Sequence, residues 1–211
     1  MKRVFIYKRF ERFWHWMQAL LVILLALTGF TIHFNWPLFS FETAVYLHKV
    51  LAWAFVILIA FAIFWHFTTG EWKQYLPGTG TISGMIRFYT VDIFRNEPHP
   101  VKKTLISKLN PLQKLAYLGL KILVIPVLVT SGFLYYYYNE WSVIGIERWP
   151  LGPVALIHTL AAFALIAFMF AHIYLTTTGH APLSNLRAMI TGWEELDEDE
   201  MVEPARSPEP A

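Results

Sequence analysis

Four runs of about 20 mostly apolar residues, each long enough to cross a bilayer as a helix, dominate this 211-residue chain. They read Phe13 to His33, Ala44 to Phe67, Leu112 to Tyr136 and Val154 to Thr176. Strands in lipid must close a barrel to satisfy their backbone groups, and these unbroken runs do not alternate. The expected fold is therefore all-α, an integral membrane four-helix bundle. The first run carries Leu20-Leu21-Val22-Ile23-Leu24-Leu25 without a small-residue cleavage site, so it reads as a span and not a removable signal. A hydrophobic fraction of 56% and a mean hydropathy of +0.43 agree, because soluble domains hold about 45–50% apolar residues.

Lys and Arg set the expected orientation. Lys2, Arg3, Lys8, Arg9 and Arg12 precede the first span, and Lys73, Arg87, Arg95, Lys102, Lys103 and Lys108 lie between the second and third. The connection between spans one and two has neither residue, and that between three and four has Arg148 alone. The positive-inside rule then places both termini in the cytoplasm, with a long cytoplasmic loop between helices two and three. Within that loop Ile82 to Phe94 reads as an interfacial helix, as does Leu183 to Trp193 after the last span. Residues 1–193 form the expected transmembrane domain. Residues 194–211, acidic and then Pro-rich, read as a disordered, solubilising tail. The net charge of +2 is too small to point to nucleic acid.

The chain has no cysteine, which excludes disulfides, covalent c-type haem and Cys-ligated iron–sulfur clusters within it. Histidines carry the chemical signal instead, because ionisable residues inside spans are costly. Of eight histidines, six fall in or at the ends of spans: His15, His33, His48, His66, His158 and His172. His158 and His172 are 14 residues apart, which leaves them about 40° from the same helical face and about 21 Å apart along the axis. That interval suits two stacked haems, each taking one axial imidazole from helix four. Bis-His ligation closes the iron and favours electron transfer. By depth, His15 matches His172 near the cytoplasmic side, and His48 matches His158 near the outer side. Fourteen residues beyond His15 and His48 lie Gly29 and Ala62, small positions that leave room for a porphyrin. His33 and His66 each fall 18 residues from a favoured ligand and read as interfacial, solvated or propionate-contacting, with a third haem at His66 left open.

Lys8, Arg9 and Arg12 suit either haem propionates or a topogenic cluster at the interface. Lys121 is expected to snorkel, Pro126 to kink helix three, and Tyr135 to Tyr138 to form an aromatic belt. Asn110, Gln113 and Lys114 at the start of helix three suit a helix cap, or hydrogen bonds to a quinone headgroup.

The constellation Arg12-Phe13-Trp14-His15-Trp16, Thr28-Gly29, His48, His158 and His172 resembles the four-helix di-haem cytochrome b superfamily. Its members include the membrane cytochrome b subunits of formate dehydrogenase N, nickel–iron hydrogenases and thiosulfate reductases, and stand-alone di-haem cytochromes b. The resemblance covers roughly Arg9 to Trp193. It implies an inner haem b on His15 and His172, and an outer one on His48 and His158. It also implies a menaquinone or ubiquinone site that includes Asn110, Gln113 and Lys114, although Leu112 stands where the formate dehydrogenase subunit has glycine. A periplasmic iron–sulfur protein, hydrogenase or multihaem cytochrome c is the implied redox partner. The expectation is an inner-membrane electron-transfer subunit, with no catalytic residue assigned, linking that partner to the quinone pool of a respiratory chain. Alternatives are a stand-alone quinone-linked superoxide oxidase, and a cofactor-free transporter or membrane anchor.

Overall fold

The computed structural model describes residues 2–76, 82–95, 109, 111–178 and 181–196. Asn110, Lys102, Lys103, Lys108, His99, His180 and residues 197–211 lie outside them. In chain order the elements are β1 (Lys2–Phe5), α1 (Arg9–Phe34), α2 (Phe41–Thr69), α3 (Ile82–Thr90), α4 (Pro111–Gly119), α5 (Ile125–Tyr136), α6 (Leu151–Thr176), α7 (Ser184–Thr191) and β2 (Trp193–Leu196). A π turn, Leu120–Val124, joins α4 to α5, so Gln113–Tyr136 runs as one span. Among the described residues four helices are long and apolar enough to cross a membrane: α1, α2, Gln113–Tyr136 and α6.

The π turn is where Pro126 acts. Proline has no N–H for the carbonyl one turn earlier, so a regular α ladder loses a bond there. The backbone shifts register just before it, and the Ile125 N–H reaches the Leu120 carbonyl, five residues back.

Contacts divide the chain into two units. One comprises Trp14–Phe64 and Gly119–His172, and holds the central parts of all four spans. Leu21, Val22, Phe55, Leu120 and Leu165 form its buried centre, against which Leu25, Leu58, Leu128 and Phe168 pack. Its outward side chains are as apolar as its inward ones: Phe61, Phe64, Ile122, Leu123 and Phe170 are all exposed. That inversion is costly in water and favourable in hydrocarbon. Tyr135, Tyr136, Tyr137 and Tyr138 are also exposed at one end of the spans, as an aromatic belt requires. Trp141 is buried there and donates its indole N–H to the Leu134 carbonyl (2.9 Å).

The other unit comprises Met1–Phe13, Trp65–Leu118 and Ile173–Ala211. Here β1 and β2 pair antiparallel, Phe5 opposite Trp193, with their rings edge to face at 5.3 Å. Residues 194–196, the start of the acidic stretch, lie in β2, where pairing with β1 satisfies their backbone groups. The expected interfacial helices are shorter than predicted, at Ile82–Thr90 followed by a 3-10 turn at Asp92–Arg95, and at Ser184–Thr191. Lys8 pairs with Glu71 at 2.6 Å on the surface. Hydrogen bonding to that carboxylate raises the Lys8 pKa above its ordinary value.

Gly192 ends α7 with φ +89°, and its carbonyl accepts from the amides of Ile6 (2.9 Å) and Tyr7 (3.2 Å). A Cβ there would meet Phe5 Cε2 at 2.7 Å and the Tyr7 carbonyl at 2.9 Å. Gly192→Ala should therefore destabilise this ribbon by about 2 kcal/mol or more, read as a lowered thermal midpoint in detergent. A wild-type midpoint would show that the clamp does not matter.

Candidate functional site

The central unit sets four imidazoles in two opposed pairs. His15 of α1 faces His172 of α6 with ring centroids 5.9 Å apart. His48 of α2 faces His158 of α6 at 6.4 Å. The apolar layer of Leu21, Val22, Phe55 and Leu165 comes from chain segments between the two levels. Along α6 the pairs are separated by about 21 Å, 14 residues at the α-helical rise.

Local chemistry fixes the proton on both histidines of the second pair. His158 Nδ1 lies 3.1 Å from the Leu128 carbonyl, which can only accept, so Nδ1 carries the hydrogen. Ser131 Oγ lies 3.1 Å from the same nitrogen and spends its own proton on the Val127 carbonyl at 2.6 Å. His48 repeats the arrangement. Its Nδ1 is 2.9 Å from Thr28 Oγ1, which spends its own proton elsewhere and so accepts the Nδ1 hydrogen. The Thr28 hydroxyl donates to the carbonyls of Leu24 (3.0 Å) and Leu25 (3.1 Å). In both rings Nε2 is therefore left with its lone pair. Gly132 gives His158 room, since a Cβ there would come 3.1 Å from His158 Cε1, whereas one at Gly29 would make ordinary contact with His48 Cε1 at 3.6 Å.

In the first pair, His15 Nδ1 is buried without a hydrogen-bond partner among the described residues. Phe168 stacks parallel to His172, with ring planes 2° apart and centroids at 6.1 Å. Lys121, expected to snorkel, lies in the π turn with Nζ 5.6 Å from the Trp14 ring centre, within cation–π range.

These residues fit a haem. A metal–imidazole bond is about 2 Å, so two trans imidazoles on one metal have ring centres about 6 Å apart. Both separations match, so each pair would offer two nitrogen donors to the iron of a haem. Among the described residues there is no group of three or more His, Cys, Asp or Glu side chains that would hold a bare ion.

The remaining predicted residues fall in the other unit. Arg12 donates Nη1 to the Ile190 carbonyl at 2.6 Å, and its Nε is buried without a hydrogen-bond partner among the described residues. Gln113 and Lys114 lie, half-buried, in the first turns of α4, and Lys8 is committed to Glu71. His33 is exposed and touches Phe34 and Phe163. Of the interfacial, solvated and propionate-contacting readings of His66, its burial removes the solvated one. The residue is 6% exposed, and its Nε2 lies 3.2 Å from the Tyr75 hydroxyl. Sequence reasoning missed Ser131 and Gly132. Their signal is a small polar residue followed by glycine inside an otherwise bulky aliphatic span.

Four spans with two opposed imidazole pairs define a membrane cytochrome of the b type. A match to the prokaryotic cytochrome b561 family covers residues 6–192. The chain belongs to that family, and is accordingly a multi-pass membrane electron carrier of the haem b type. It is 30% identical over 202 residues to the putative cytochrome YdhU of Escherichia coli (strain K12), covering 91% of this chain and 75% of that protein. No solved structure matches. Membership of a cytochrome family removes the ground for a cofactor-free transporter.

Thr28→Val keeps the side-chain volume and removes one acceptor from His48 Nδ1. A lost hydrogen bond of this kind costs about 10–100-fold in affinity for the ligated group. Haem titration of the variant should show one weakened site and one of wild-type affinity. Two unchanged sites would separate Thr28 from the function of His48.

Proposed function

We propose that the chain binds two haems b, one between His15 and His172 and the other between His48 and His158, and conducts electrons through the membrane. The observation that carries this reading is the pair of imidazole separations, 5.9 and 6.4 Å, at two levels of one helical bundle. Haem b held by two imidazoles supplies one-electron exchange between ferric and ferrous iron with no open position. The chain's own residues do the rest. Thr28, Ser131 and the Leu128 carbonyl orient the outer imidazoles, and hydrogen bonds of this kind raise ligand basicity. Gly132 keeps space at the His158 ring, and the layer around Leu21, Phe55 and Leu165 excludes water.

The Lys and Arg distribution supports cytoplasmic termini, with the His48–His158 level towards the periplasm. On this reading a periplasmic redox protein, of iron–sulfur, hydrogenase or multihaem cytochrome c type, exchanges electrons at the outer level. Membrane quinone exchanges them on the cytoplasmic side. Gln113 and Lys114 of α4, with Asn110 just before it, offer hydrogen bonds for the quinone carbonyls.

The pairing is tested by His158→Ala. This variant should retain one haem, the inner, and show a single redox transition, whereas His172→Ala should lose the inner and keep the outer. Retention of two haems by either variant would overturn the assignment.

A further inference from the structure

The unit that contains the N-terminal segment and α7 buries a set of titratable side chains. Glu11, Glu194 and His66 are 6%, 4% and 6% exposed. Tyr75, in the 3-10 turn Glu71–Tyr75 after α2, places its hydroxyl 3.2 Å from His66 Nε2. Its ring meets that of Tyr117 of α4 at 6.3 Å, edge to face. Elements around Tyr75 contribute His66 from α2, Tyr117 from α4, Glu11 from α1, Tyr7 from the segment before α1, and Glu71 from its own turn. Burial and then the Glu194 carboxylate of β2 raise the Tyr7 phenol above its ordinary range. Burial first, then Tyr117 and the carboxylates of Glu11 and Glu71, pushes the Tyr75 hydroxyl above the ordinary phenol range. A phenol with a raised pKa keeps its proton throughout the neutral range and loses it only at still higher pH.

Fixing a turn does not require this composition. A neutral hydrogen bond contributes about 1 kcal/mol net, while burying charged groups costs several kcal/mol each. Apolar contacts would fix the same turn at lower cost, but they cannot exchange protons. Tyr117 follows Gln113 by four residues on α4, so the two share a helical face. That is the helix on which the quinone reading relies.

We propose that Tyr75, backed by His66, is a proton donor to quinone bound at α4, an inference that rests on the quinone-linked function above. Reducing a quinone to hydroquinone consumes two electrons and two protons. The electrons come singly from ferrous haem, which is oxidised to ferric. One proton leaves the Tyr75 oxygen for a quinone carbonyl oxygen, so that one O–H bond breaks and another forms. His66 then gives its Nε2 proton to the Tyr75 oxygen and regains one from water. The other carbonyl takes its proton from water directly.

The test uses full-length holoprotein reduced with dithionite and mixed with decylubiquinone or menadione, with ferricyanide as an oxidant that takes an electron and no proton. Tyr75→Phe and His66→Gln should keep haem content, redox potentials and ferricyanide rates. Their reoxidation by quinone should slow by about 100-fold, the scale of a lost general acid. The wild-type quinone rate should be flat from about pH 6 to 8, because Tyr75 holds its proton across that range, while the Tyr75→Phe rate falls as pH rises. Tyr117→Phe, which removes a neighbouring hydroxyl but not the donor, should keep the flat profile. Wild-type quinone rates in Tyr75→Phe would overturn the proton-donor role and leave quinone linkage standing. A wild-type protein reoxidised by ferricyanide but by neither quinone would overturn both.

Discussion

In hydrocarbon an unpaired polar group is costly, and for His48 and His158 the partner found inside the protein decides what the ring can do. One nitrogen of each is tied to a hydroxyl, Thr28 for His48 and Ser131 for His158, the latter also to the Leu128 carbonyl. The other is thereby presented as a lone pair at a set angle. Helix geometry follows from the same need. Ser131 bonds back to its own helix while serving the imidazole, and Gly132 beside it clears the ring by 3.1 Å from a virtual Cβ. A Cβ at Gly132 would make His158 give way by a few tenths of an ångström.

The two units carry different physical burdens. The central one buries few polar groups, and those few are hydroxyls satisfied within their own helices, such as Thr28, Thr31 and Ser131. Its exposed Phe, Ile and Leu side chains suit a surface solvated by lipid. The other unit is held by polar means: the β1–β2 ribbon, the Arg12 bond to Ile190, the Asn185 bond to Thr176 (3.2 Å) and the Lys8–Glu71 pair. Groups that must trade protons with water belong in such a region, and the carrier of electrons belongs in the first.

What the sequence reveals depends on the range of the interaction responsible. The four spans are legible because bilayer thickness imposes a length on each, and the His158–His172 interval is legible because one helix sets both angle and distance. The ribbon is not. Lys2–Phe5 is four residues long, and its pairing with Trp193–Leu196 is a long-range contact that acidic composition hides. His66 reads as an interfacial residue until the chain returns at Tyr75 and covers it. Ser131 and Gly132 are ordinary membrane-helix residues by composition, and their relation to His158 appears only once α5 and α6 are packed. Pro126 announces a disturbance, but the choice of a π turn over a simple kink belongs to the backbone as a whole.

The central claim is that two opposed imidazole pairs hold two haems b. Pyridine haemochrome analysis of the purified full-length protein, set against protein concentration, measures this directly. The account predicts two haems b per chain and reduced spectra of low-spin, bis-imidazole iron. A colourless protein, or one saturating at a single haem, would contradict it.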